Sequence, residues 1–329
     1  MMKTLVKALI GAMALAPLSG WADQDPQTML RKTERAIETL NYEGTFVHIV
    51  DGQVDTMYVV HRVEDGVATE RLVSLDGPER EVIRDQDEVT CIFSDQKSIL
   101  VSRRKDDGPL RAAVPRFTDN LENHYRFRSL RSVNKLGRDA AVIAIEPQDD
   151  LRYGYKLWID SDSGMLLKAQ LVDRYRKVVE QLIFVSLDLP ESIPAERLRP
   201  SIAAEGYARY VQDDTADGEQ KPGRSAWQAG NLQYGFKLTA SNVRMMAGAS
   251  SPTEHLVYTD GLASVSVFID QGEGDQVAPD GASRIGAANA FTTRVGPHVV
   301  TAMGEVPAVT VKMIARSVTQ RPGTPVAAQ

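Results

Sequence analysis

The sequence predicts an α+β protein, mostly antiparallel β, in two units: a larger sheet rolled around a leading helix, then a smaller α+β domain. Three observations carry this. About ten apolar, strand-like segments follow one another at hairpin spacing between residues 45 and 187, without the helix–strand alternation that builds a parallel sheet. A helical pattern precedes them. After Pro190 the breakers Ile193-Pro194 and Arg199-Pro200 divide this group from a second set of strands and a helix.

Asp25-Pro26 reads as an N-cap with proline at the first helical position, and Met29, Leu30, Thr33, Ala36, Ile37 and Leu40 recur at three and four until Asn41. From Gly44 the period is two. Thr45 to Val50 and Gln53 to His61 flank Asp51-Gly52, a pair that a type I′ hairpin turn favours. In that register His48 faces Asp55 and His61 faces Tyr42. One face carries Val47, Ile49, Val54, Tyr58 and Val60; the other carries Phe46, Val50, Met57 and Val59. Both faces are apolar, so both should be covered, and the second set is the candidate lining of an apolar cavity.

Further strands are expected at Arg71 to Leu75, Arg80 to Arg84, Val89 to Phe93, Ile99 to Val101, Tyr125 to Leu130 and Ala141 to Glu146. Tyr153 to Asp160 and Met165 to Val172 flank a turn at Ser161–Gly164, and Glu180 to Leu187 closes the series. Residues 191–226 read as a linker whose part from Gln212 to Ser225, with no aliphatic residue larger than alanine, is expected to be a loop. The second unit, 227–320, offers His255 to Ile269 with a turn at Asp260-Gly261, Ala287 to Val295 with His298 to Glu305 turning at Gly296-Pro297, and a helix begun by Pro307. The Pro/Gly/Ala-rich tail, 321–329, should fray.

Composition excludes several classes of function. A single cysteine leaves no internal disulfide, redox pair or thiolate zinc cluster. The net charge of -6 and 6% aromatic content give no platform for nucleic acid. No nucleophile elbow, metalloprotease helix or phosphate loop occurs, so no catalytic residue, metal ligand or cofactor is expected. Asp160-x-Asp162-x-Gly164 lacks the glycine and the final carboxylate of a calcium loop. Cys91 reads as a small buried core residue.

The N-terminus has the form of an export signal. Lys3 and Lys7 precede the apolar run Ala8 to Leu18, which is shorter than the roughly 20 residues a bilayer demands. Gly20 and Ala22 supply the small-x-small pattern, so cleavage is expected before Asp23. Losing two lysines and no acids takes the charge from -6 to -8. With no Asn-x-Ser/Thr acceptor in the chain, a bacterial periplasm is the expected compartment.

One charge feature opposes the acidic whole. Lys97 to Arg138 holds eleven Lys and Arg against four acids. Within it Tyr125-Arg126-Phe127-Arg128 alternates as a strand, with both arginines on one face. The candidate contacts for an anionic ligand are Arg103, Arg104, Arg116, Arg126 and Arg128, because guanidinium grips phosphate and carboxylate through paired hydrogen bonds. The alternative is a solvated face balanced by neighbouring acids.

Several segments in order resemble the MucB/RseB family of periplasmic sigma-factor regulators: Leu40-Asn41-Tyr42-Glu43-Gly44-Thr45-Phe46, Arg71 to Pro78 with Arg80-Glu81-Val82, and Arg152-Tyr153-Gly154-Tyr155 leading to Trp158-Ile159-Asp160. Tyr258 to Phe268 and Gly304-Glu305-Val306-Pro307 continue it. The resemblance implies an unclosed β-barrel like that of the carriers LolA and LolB, wrapped around helices, plus a smaller C-terminal domain. It also implies a non-enzymatic role. Members bind the periplasmic domain of a membrane anti-sigma factor (MucA/RseA-like), shield it from regulated proteolysis, and let go on sensing lipopolysaccharide or the acyl chains of mislocalised lipoprotein. Tyr258, Leu262 and Phe268 are then the candidate partner-binding segment, and self-association is open. A periplasmic lipid or lipoprotein carrier using the same cavity is the alternative.

Overall fold

The computed structural model describes residues 25–86, 88–102, 108–114, 121–212, 225–230, 232, 235–244, 251–271 and 280–321. The signal segment 1–22, most of the 212–225 loop and all but the first residue of the tail lie outside them, as do Arg103, Arg104 and Arg116. Helix α1 (Pro26–Thr39) starts as its sequence dictates: the Asp25 side chain accepts from Thr28 N at 3.0 Å, and proline fills the first turn. Its face of Met29, Leu30, Thr33, Ala36 and Ile37 is buried.

Twelve strands form one sheet in the first domain: β1 (Tyr42–Val50), β2 (Gln53–Glu64), β3 (Val67–Ser74), β4 (Arg80–Arg84), β5 (Val89–Phe93), β6 (Ser98–Ser102), β7 (Tyr125–Lys135), β8 (Arg138–Pro147), β9 (Gly154–Asp160), β10 (Leu166–Val172), β11 (Val178–Asp188) and β12 (Ala208–Gln212). Their order is β12-β6-β5-β4-β3-β2-β1-β11-β10-β9-β8-β7, so the ends do not meet and the barrel stays unclosed. All pairings are antiparallel except β12 on β6. A short helix, α2 (Gly108–Ala112), follows β6.

The β1–β2 register is the one expected: Tyr42 opposite His61 and His48 opposite Asp55. Asp51 and Gly52 both take positive φ, 52° and 78°, as a type I′ turn requires. The sheet's inner face and α1 share one core, in which Phe46 meets Phe184 edge-on at 5.8 Å. The Ser161–Gly164 turn docks on α1, where Lys32 Nζ donates to the carbonyls of Ser161 (2.7 Å) and Asp162 (2.9 Å).

The outer face of the hairpin is covered by the segment expected to be a linker. Ile193 and Leu198 pack on Val60 and Tyr58, and Arg71 with Ser201 holds the buried Glu81 carboxylate. Further on, β12 adds itself to the sheet edge. Residues 191–212 are thus anchored structure, because the second apolar face of the hairpin needed a cover. Cys91 is half-buried in β5, more open than its apolar flanks suggested.

The second domain has a six-stranded sheet, β14-β15-β16-β19-β18-β17, and a two-stranded one, β13-β20. Their ranges are β13 (Trp227–Ala229), β14 (Lys237–Arg244), β15 (Thr253–Thr259), β16 (Ser264–Gln271), β17 (Gly281–Ile285), β18 (Ala288–Val295), β19 (His298–Gly304) and β20 (Val318–Gln320). Helix α3 (Ala308–Ser317) packs on β18 and β19 and buries Val311, Ile314 and Ala315 in a second core with Trp227 and Val265.

Candidate functional site

The loop between β8 and β9 joins the two domains. Arg152 is 0% exposed, a position a charged side chain occupies only when fully paired. Its Nε donates to Asp260 Oδ2, in the β15–β16 turn of the second domain, and its Nη1 to Asp149. Tyr125 OH donates to Asp260 Oδ2 at 3.1 Å, and Phe236 lies under the guanidinium at 4.9 Å. Burial works against the charge on Arg152, but Asp260 and then Asp149 outweigh it and hold the pKa above its usual value. Asp260 also accepts, through Oδ1, from Leu262 N (2.9 Å) and Ala263 N (2.8 Å), which fixes its own turn.

The neighbouring residues continue the seam. Asn289 donates to Tyr153 OH at 3.0 Å and to Val306 O at 2.8 Å. Thr310 Oγ1 donates to Leu151 O at 2.7 Å. Gly235 sits where a Cβ would come within 2.0 Å of His124 Nε2, and its φ of 89° favours glycine as well. Three successive residues, Leu151 to Tyr153, therefore plug into the second domain.

A second contact closes the concave side of the sheet. His48 Nε2 lies 2.7 Å from Glu180 Oε1, and Glu305 of the second domain faces both. His48 thus bonds across β1–β11 rather than to Asp55. What remains of the concave side here is a void of about 30 Å³, lined by Ala112, Tyr155, Leu171, Leu182, Glu180 and Glu305. Glu180's hydrogen bond raises the His48 pKa against opposing burial, and burial, then Glu180, raises that of Glu305. Both groups hold protons more tightly folded than unfolded. Their contribution to stability is therefore full below their unfolded values and fades as pH rises through the folded ones. The melting temperature of the wild type is expected to fall more between about pH 6 and 8 than that of His48→Gln. Equal slopes would remove His48 from this role.

The sequence-derived candidates separate in space. Phe46 (1% exposed), Met57 and Val59 belong to the core shared with α1, so they are packed against helix and sheet rather than lining an open cavity. Val50 packs at the domain seam with Tyr153, Leu171 and Ala287. Tyr258 is in the second core, its hydroxyl accepting from Ala229 N at 2.7 Å. Leu262 instead packs against the first core, and Phe268 stacks on His255 at 4.5 Å on the sheet face away from α3. Arg126 and Arg128 are exposed on β7, where Arg128 reaches Glu146 at 3.4 Å. Two further arginines of the basic segment have carboxylate partners: Arg111 pairs with Glu34 and Glu38, and Arg138 with Asp160.

Two clefts remain. One, of about 600 Å³, lies on the outer face of β7–β10 between Arg128, Lys156, Gln170 and Arg174. The other, of about 610 Å³, lies at the seam between Ile49, Asp51, Tyr153, Lys177 and Arg284, where Arg284 reaches Asp51 at 3.1 Å. Among the described residues no group of His, Cys, Asp and Glu could hold a metal ion.

An unclosed twelve-stranded sheet latched by buried charge to a smaller sheet domain defines a two-domain protein built around an open half-barrel. The chain belongs to the MucB/RseB family: residues 25–202 match the MucB/RseB N-terminal domain and residues 221–319 the MucB/RseB C-terminal domain. It is 32% identical to the sigma factor AlgU regulatory protein MucB of Pseudomonas aeruginosa, over 97% of this chain and 98% of that one. It superposes on the MucB chain of the Pseudomonas aeruginosa MucA/MucB complex with a TM-score of 0.72 at 28% identity, over 91% of this chain and 100% of that chain. On the crystal structure of MucB the TM-score is 0.58 at 27% identity, over 91% and 99%.

Proposed function

We propose that this chain is a periplasmic regulatory binding protein without a catalytic step. It holds the periplasmic segment of a MucA-like anti-sigma factor, shields it from regulated proteolysis, and releases it when lipopolysaccharide or the acyl chains of mislocalised lipoprotein signal envelope damage. The observation that carries this reading is the near full-length likeness to MucB, including a structure solved with MucA. The division of labour gives residues 23–190 the sensing role and 227–320 the partner-binding role. The Arg152–Asp260 seam supports it, because a latch between two sites lets a ligand on one bias affinity at the other.

Titration calorimetry with the periplasmic peptide of the cognate anti-sigma factor tests the reading. Binding at micromolar concentration or tighter, weakened by added lipopolysaccharide, is expected; no binding would sink it. A carrier would instead transfer lipid between vesicles without residues 226–321. The C-terminal domain, which a carrier of this fold does not need, weighs against that alternative.

A further inference from the structure

The outer face of β7–β10 carries a cluster of lysines around an indole. Trp158 is half-buried there, lying beside Val142 on β8 and Lys168 on β10. Lys168 Nζ sits 4.6 Å and Lys156 Nζ 4.9 Å from the centre of its ring. Lys135, at the end of β7, adds to the same field: burial first, then Lys135 and Lys156, lower the pKa of Lys168. Among the described residues none of these three ammonium groups has a carboxylate partner within salt-bridge distance. This contrasts with Arg111, Arg128 and Arg138 of the same region, each of which has one.

Three like charges gathered without a counter-charge repel one another, and an external anion relieves that cost. The shape narrows the choice. The patch lies on the outward side of four neighbouring strands, about 15 Å across, with Lys156 at the rim of the open cleft of about 600 Å³ on that face. An indole with its apolar body among lysines is the combination that settles at the boundary between lipid headgroups and water. We propose that this face docks the protein on an anionic phospholipid bilayer, with Trp158 at headgroup level and Lys135, Lys156 and Lys168 against the phosphates. An acidic protein can approach such a surface only through a locally basic face.

Co-sedimentation with vesicles of phosphatidylglycerol mixed into phosphatidylcholine tests it, against phosphatidylcholine alone. The wild type is expected to bind only the anionic vesicles and to leave them as salt rises. The triple variant K135Q/K156Q/K168Q should bind roughly 100-fold more weakly, with an unchanged circular dichroism spectrum. A control of equal charge, R80Q/R199Q/K312Q, alters exposed residues elsewhere and should bind almost as the wild type does. No binding to anionic vesicles, or the same loss in both triple variants, overturns the proposal. So does a wild type that ignores the vesicles yet binds polyglutamate, which would make the face a site for an acidic peptide. Retained binding of the anti-sigma peptide by K135Q/K156Q/K168Q separates this outcome from any failure of the regulatory reading.

Discussion

Asp260→Asn is expected to cost about 3 kcal/mol and to release the two domains from one another. The substitution keeps an oxygen for Leu262 N and Ala263 N, so the β15–β16 turn survives. What it removes is the charge opposite Arg152, whose guanidinium stays buried at 0% exposure beside Asp149. Breaking one side of a buried pair costs more than the pair itself contributes, because the remaining charge is stranded away from water. Calorimetry should show one cooperative transition in the wild type and two in the variant. A single transition at an unchanged temperature would mean that the seam is held elsewhere. Adding Arg152→Met to Asp260→Asn should recover part of the loss, since the turn keeps its acceptor and no buried charge is left behind, Asp149 being 31% exposed.

Phe46→Ala is expected to destabilise the first domain by about 3–5 kcal/mol. The ring is 1% exposed and packs edge-on against Phe184 beneath α1. Truncation therefore removes apolar burial and leaves a hole that a closed sheet-and-helix sandwich cannot collapse. The experiment separates two views of the same residue. As packed core it costs this much; as the wall of an open, solvated cavity it would cost under about 1 kcal/mol. The midpoint of urea unfolding, at unchanged slope, reads the difference.

Local signals made the first domain readable. Asp25-Pro26 marked the start of α1, and Asp51-Gly52 fixed a hairpin register that holds at every pair from Tyr42–His61 to Val50–Gln53. Each signal acts over a few residues, where backbone preference is decisive. The strands that escaped notice lack such marks. Gly281–Ile285 is exposed along its whole length, so it has no apolar alternation, and Lys237–Arg244 mixes polar residues through both faces. Ala208–Gln212 is exposed along its length and joins the sheet by backbone pairing to β6, which leaves no trace in side-chain pattern.

The candidate site was less readable, and for a related reason. Arg152 and Asp260 stand in segments that carry the family resemblance, yet nothing within their own neighbourhoods says that they meet across 108 positions. Charge counting along the basic segment is likewise local: the carboxylates that pair with Arg111 come from α1 and not from adjacent sequence. Apolar alternation located Phe46, Met57 and Val59 on the correct face but could not distinguish a filled interior from a hollow one.

The Arg152–Asp260 pair also sets an order of events in time. A chain grows from its N-terminus, and domains generally fold as units in that order. Arg152 therefore exists, with most of its sheet, well before the carboxylate that will accept it. Until residue 260 arrives and the second domain forms, the guanidinium must stay hydrated, which keeps the loop from Gln148 to Tyr153 unseated. The last step in maturation is then the seating of this loop, and a chain interrupted before that point carries a finished sheet with its latch still open.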